Sequence, residues 1–356
     1  MPPTPESRVY ILGAGCSKDC DYPLGPQMRA DLESYLQSID PLRSPRLKAA
    51  VGDTVALLGG SVDTIDALVQ KLNSGQLDQE IGAQNLDLFS RNRVRRERVT
   101  KATIAISAAF FSKERRAQEL GFGRYRNFLY QIFPGADSNW LSIPKTGVSH
   151  VLTFNYDQIF EKAFLDRFHD LHGFSLYGQR VLNSGLNLNG ISFETEAFSF
   201  LKLHGSVGMW VTDFPGDPIY SQDEPHNRDD TAVDDGLFFS NRSSQSGRSC
   251  SQREPLLFFP SERQFITSKE SGFLFHRYGR EVWNRAREII STAREIHVIG
   301  YSFGGIDRGP VLDLLSEAQN CERLVIQSPD ADDISSRIKF ERVNLRNLIE
   351  PAPFCF

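Results

Sequence analysis

VYILGAGCS, residues 9–17, is an apolar β-type run that breaks into Gly-Ala-Gly and then turns polar. Four such segments decide the fold. HVLTFNYD (150–157) is a strand ending in Thr, Asn and Asp. FLKLHGS (200–206) is a strand ending in a lone His-Gly, and EIHVIGYSF (295–303) is a strand ending in Gly, Tyr and Ser. In an open α/β sheet, residues just past the strand ends line the ligand crevice. Polar groups gathered there suit a nucleotide and a base.

Working outward, DYPLGPQM (21–28) is a Pro- and Gly-punctuated loop before a helix near 27–37. LKAAVGDTVALL, VDTIDALVQKL and VTKATIAISAAFFSKERRAQEL repeat their apolar residues every three to four positions, so 46–145 reads as a helical insertion. Asp63 is the expected N-cap of the middle helix. Residues 156–170 form an amphipathic helix bearing Ile159, Phe160, Phe164 and Phe168. The stretch 211–254 is polar and reads as a long surface loop. A helix over about 273–294 leads into the fourth segment, and RLVIQS (323–328) is the last clear strand, with Asp307 capping the helix between them. Strands alternating with helices predict an α/β, Rossmann-like, mostly parallel sheet. A single domain spanning 1–356 is expected, its core at 8–45 and 146–330.

The 356 residues carry a net charge of −5, and no run of eighteen apolar residues occurs. These features argue against a strongly basic nucleic-acid binder and against a membrane-spanning helix. MPPTPESR at the start has no apolar signal region, so a cytoplasmic location is expected. The five cysteines, odd in number and scattered, fit reduced thiols, and Cys16 and Cys20 lack a second pair for zinc. The basic stretches RNRVRRERV (91–99) and KERRAQ (113–118) fall on helices without interleaved aromatics. That pattern fits a solvated face better than base stacking.

GAGCS has the strand–turn setting of a phosphate loop, but Lys18 stands where a third glycine would complete GxGxxG. A tight structural turn is the competing reading. Asn155 offers a donor and an acceptor at the crevice. Asp157 suits either a ribose contact or the cap of the next helix. His204, flanked by Gly205, suits a general base. GYSFG (300–304) matches the nucleophile elbow of α/β-hydrolases, but no histidine follows it to complete that triad in its usual order.

Taken in order, GAGCSKDCDYPLG, TFNYD, KLHGS and GYSF resemble the sirtuin-like NAD-binding family, and most closely the bacterial sirtuin-like NADases of anti-phage defence. The resemblance covers about 8–330. It implies that Gly13, Ala14, Gly15 and Ser17 hold the NAD phosphates. Asn155 would position the ribose or the attacking water with Asp157 nearby, and His204 would be the catalytic base. Gly300 and Ser302 would face the phosphate or adenosine side, with Gln327 near the adenosine ribose. The chain departs from sirtuin deacylases in having Phe154 where they carry glutamine. It also lacks their paired zinc-ribbon cysteines, with Cys250 alone in 211–254. The expectation is therefore hydrolysis of NAD⁺, without a metal. An NAD-depleting effector would be controlled by self-association and a separate partner, such as an ATPase/helicase, an Argonaute-type protein or a phage protein. A zinc-free deacylase or ADP-ribosyltransferase, and a non-catalytic nucleotide-binding module, are the alternatives.

Overall fold

A computed structural model describes residues 7–59, 62–133, 148–167, 198–211, 219–220, 238, 242–243, 249–250, 254–257, 259, 274–304 and 308–354. The chain begins with β1 (Ser7–Leu12), followed by α1 (Met28–Ser38), α2 (Pro45–Leu57), α3 (Ile65–Ser74), α4 (Leu88–Glu119) and α5 (Tyr125–Ile132). Next come β2 (Val148–Thr153), α6 (Ile159–Arg167), β3 (Phe198–Lys202) and β4 (Gly205–Val211). Four short strands follow: β5 (Ile219–Tyr220), β6 (Arg242–Ser243), β7 (Ser249–Cys250) and β8 (Glu254–Leu257). The chain closes with α7 (Leu274–Thr292), β9 (Glu295–Ile299), α8 (Arg308–Ser316), β10 (Arg323–Gln327), α9 (Ala331–Glu341) and β11 (Ile349–Ala352).

Six strands form one sheet in the order β11-β10-β9-β1-β2-β3, and every pairing is parallel. Numbered by their sequence within the sheet, this is 3-2-1-4-5-6, the Rossmann order. The order reverses between β1 and β9, and that switch point is where such sheets bind ligands. Parallel strands buried on both faces read as continuous apolar runs. Accordingly Val9, Ile11, Leu12, Ile296, Val298, Leu324 and Ile326 are buried. Helices α5 and α6 bring Phe128 to Tyr10 (ring centroids 5.2 Å apart) and Phe160 to Phe200 (4.4 Å). On α7, Trp283 donates to the Leu203 carbonyl at 3.1 Å.

The chain divides into two compact units. The first comprises 1–22, 116–205 and 276–356 and contains the six-stranded sheet. The second comprises 23–115 and 206–275 and holds α1, α2, α3 and most of α4. There the basic stretch at the start of α4 is largely paired. Arg95 grips Asp78 through two bonds of 2.7 and 2.5 Å, while Arg98 and Lys101 share Asp53.

Two sequence expectations change. Thr64, not Asp63, caps α3: its hydroxyl accepts from the Ala67 N–H at 3.2 Å. RLVIQS is not the last strand, because β11 adds a sixth at the sheet edge. The glycine turn runs into a seven-residue 3₁₀ helix, Ala14–Cys20. Asp307, Phe168 and most of 211–254 lie outside the described residues. No helix among the described residues is long and apolar enough to cross a membrane.

Candidate nucleotide site at the carboxyl edge of the sheet

All six strands run the same way, so the segments that follow β1, β2, β3, β9 and β10 emerge on one edge. Two turns meet at the switch point. The Gly13 N–H donates to the Ile299 carbonyl and the Gly15 N–H to the Gly300 carbonyl, each at 2.9 Å. Gly300 in turn donates to the Gln327 carbonyl at 2.9 Å. A Cβ on Gly13 would lie 2.6 Å from the Gly300 oxygen, and one on Gly300 would lie 2.8 Å from the Cys16 nitrogen. Gly300 also sits at φ +64°, in the left-handed region that favours glycine. The glycines are therefore needed for backbone-on-backbone contact between the turns. Two of the N–H groups expected to cradle phosphate are committed within the protein. Ala14, between them, is exposed.

The end of β2 locks onto this turn. The Thr153 hydroxyl donates to the Leu12 carbonyl and accepts from the Asn155 N–H. Asn155 Nδ2 lies 3.0 Å from the Gly13 oxygen, 3.2 Å from Ser17 Oγ and 3.2 Å from the Tyr125 hydroxyl. Ser17 donates to Asp157 Oδ2 at 2.7 Å. The Ile159 N–H donates to Asp157 Oδ1 at 3.0 Å, so Asp157 caps α6 while holding Ser17. Thr153, Asn155 and Asp157 thus face the glycine turn, as the strand alternation requires.

Phe154 points the other way, into rings. It lies 5.1 Å from the His204 ring, 5.1 Å from Tyr301 and 6.1 Å from Trp283. Tyr156 stacks on His204 at 5.8 Å. His204 is 4 % exposed and Asn155 8 %. Ser302 is exposed on the turn after β9. Direct hydrogen bonds join Gly13, Ser17, Asn155 and Asp157 in one set and Gly15, Gly300 and the Gln327 carbonyl in another, the two sets meeting where the glycine turns pack. His204 packs against the rings of Phe154 and Tyr156, its neighbours along the end of β2.

Three residues of this edge have no place in the sequence reading. Tyr125, on α5, joins Ser17 and Asn155, and burial raises its phenol well above the ordinary tyrosine range. Lys202 and Glu161 form an ion pair of 2.8 Å with side chains 1 % and 2 % exposed. Lys202 also donates to the Asp157 carbonyl. Burial raises the Glu161 carboxyl while Lys202 opposes that rise. A charge at the end of an apolar strand, FLKL, was the available signal for this pair. Nearby, the Cys16 thiol is buried against the Ile299 carbonyl at 3.2 Å, and burial pushes it well above its usual value. Among the described residues, no group of three or more His, Cys, Asp or Glu side chains is placed to hold a metal ion.

No protein-family description matches the chain, and no curated relative does. Among solved structures it is similar to a mutant Sir2 homologue in complex with ADP-ribose, at 12% identity over 96% of this chain and 93% of that one, with a TM-score of 0.37. Sir2Tm bound to a propionylated peptide matches at 12% identity, 96% and 92% coverage, and TM-score 0.36. Sir2 with an inhibitor, 2′-O-acetyl-ADP-ribose and a deacetylated peptide matches at 13% identity, 96% and 93% coverage, and TM-score 0.33.

Proposed function

We propose that the chain binds NAD⁺ at the carboxyl edge of its parallel sheet and hydrolyses it to ADP-ribose and nicotinamide. The observation that carries the reading is the junction of two glycine turns with Asn155 at the switch point of a 3-2-1-4-5-6 sheet. His204 at the neighbouring strand end supplies the base.

In this reading the exposed part of the first turn, around Ala14, takes the phosphates. Gly13, Gly15 and Ser17 hold that segment in shape, and Gly300, Ser302 and Gln327 lie on the adenosine side. Nicotinamide departs as a neutral leaving group and the ribose passes through an oxocarbenium-like state. His204 accepts the proton of the incoming water, a contribution worth about a hundredfold to ten-thousandfold. Asn155 orients that water or a ribose hydroxyl, and its ties to Gly13 and Ser17 keep it from wandering. The wider reading is an NAD-depleting effector of bacterial anti-phage defence, self-associating and held in check by a separate partner. It rests on the sequence resemblance and extends the enzymatic proposal.

One observation favours a second reading. The polar groups of Ser17, Asn155 and Asp157 are bonded to one another, as in a site that only binds. Nicotinamide release from NAD⁺, followed with and without products of neighbouring genes and with and without an acyl-lysine peptide, separates the cases. Release without peptide, abolished by His204→Ala and by Asn155→Ala, supports hydrolysis. Release that requires peptide or an acceptor protein turns the reading to deacylation or ADP-ribosyl transfer. Binding without turnover under every condition leaves a nucleotide-binding module.

A further inference from the structure

Four buried side chains at the carboxyl edge form a hydrogen-bonded chain whose direction is fixed at both ends. The Gly13 oxygen is a carbonyl and only accepts, so the Asn155 atom 3.0 Å away must be the amide nitrogen. At the far end a carboxylate, Asp157, also only accepts, and takes the Ser17 hydrogen at 2.7 Å. With that hydrogen spent, Ser17 must accept in its 2.9 Å contact with the Tyr125 hydroxyl. Tyr125 therefore donates to Ser17, and its oxygen accepts from Asn155 Nδ2 at 3.2 Å. The order runs Asn155 to Tyr125 to Ser17 to Asp157, with no alternative sense.

We infer that Tyr125 is a positioning residue that fixes the Asn155 amide, with Nδ2 turned to the glycine turn and Oδ1 left as the group Asn155 presents to substrate. This rests on the NAD⁺ reading of the site. The amide is nearly symmetric in shape, so only its hydrogen bonds distinguish its two orientations. One Nδ2 hydrogen belongs to Gly13, and the other is steadied by Tyr125 and Ser17 together. Among the described residues no hydrogen bond reaches Oδ1. Burial raises the Tyr125 phenol well above the ordinary tyrosine range, which favours its protonated, donating form. Ser17 and Asp157 thereby act on Asn155 and not directly on a phosphate or ribose.

The test is Tyr125→Phe, which keeps the ring and its edge contact with Phe160 at 6.2 Å while removing the hydroxyl. Protein labelled with ¹⁵N at asparagine reports the Asn155 side-chain NH₂, assigned by its disappearance in Asn155→Asp. In Tyr125→Phe that signal should move and exchange faster with solvent. Ser17→Ala, which breaks the next link, should reproduce the change. Tyr130→Phe, at a tyrosine 52% exposed, should leave the signal in place. For NAD⁺ cleavage, kcat should fall on the order of tenfold to a hundredfold with KM nearly unchanged, as expected for a mis-set group and not lost binding. An Asn155 NH₂ signal unmoved in both Tyr125→Phe and Ser17→Ala overturns the inference, whatever the activity. If the wild type releases no nicotinamide under any condition, the NAD⁺ reading fails, while the amide signal still decides the role of Tyr125.

Discussion

His150 stands opposite Val9 in the β1–β2 ladder, buried. Burial, aided by the nearby Arg285 charge, brings its imidazole down to about 4. In an unfolded chain a histidine titrates near about 6.5. Between those values the unfolded state binds a proton that the folded state refuses, so stability rises with pH across that window. The contribution is complete above pH 6.5 and is lost as pH falls toward 4, with about 2 kcal/mol gone between pH 7 and pH 5. Urea midpoints at those two pH values should therefore drop less in His150→Leu than in the wild type. Equal drops in both proteins would remove His150 from the account. This residue-scale picture also explains what a reader of the sequence can find. Asn155 and His204 are visible because a polar group directly after an apolar strand has few structural reasons to be there. Tyr125 is not visible. Its segment YRNFLYQI is an ordinary amphipathic helix, and its partners Ser17 and Asn155 lie 108 and 30 residues away.

At the scale of elements, two turns and one ion pair tie the strand ends together. Gly300→Ala puts a methyl 2.8 Å from the Cys16 nitrogen at a φ of +64°. Strain of that kind costs about 1–3 kcal/mol before any clash is counted. Gly25→Ala meets nothing within 4 Å and should stay within about 0.5 kcal/mol of wild type. Thermal unfolding of the two variants side by side checks this, and a Gly300→Ala protein as stable as Gly25→Ala would mean the turns do not pack as described. The Lys202–Glu161 pair behaves differently. Removing one partner strands a buried charge, so Lys202→Met should lose about 3–5 kcal/mol. The double variant Lys202→Met with Glu161→Leu should recover much of that loss. A double-mutant cycle with additive losses would show that the pair is not coupled. Turn glycines and helix periods were legible in advance because each is local. The cap of α3 slipped by one residue, since Asp63 and Thr64 are both good cap residues. Only the Thr64 hydroxyl reaches the Ala67 N–H.

For the whole molecule, the apolar runs of β1, β2, β3, β9 and β10 announce a buried parallel sheet, but strand order is set by long-range pairing that no local pattern encodes. The sixth strand hid for a specific reason: IEPA carries a proline, which a strand tolerates at a sheet edge because no ladder N–H is needed on the open side. The division into two compact units is likewise invisible locally, because each is assembled from separated segments. It has a thermodynamic consequence for ligand binding. A ligand that binds only the folded first unit, at a hundred times its Kd, stabilises that unit by about 2.7 kcal/mol. For a unit of this size that is about 5–10 °C in Tm. On the proposed NAD⁺ reading ADP-ribose is the probe of choice, since as the product it is not consumed. Hydrogen exchange with saturating ADP-ribose should slow at 9–17, 150–157 and 295–304, and change little at 45–115. On the proposed reading His204→Ala should keep that protection while losing turnover, because a general base is not needed to hold the product. Slowing confined to 45–115, or none at all, would take the nucleotide site away from the switch point between β1 and β9.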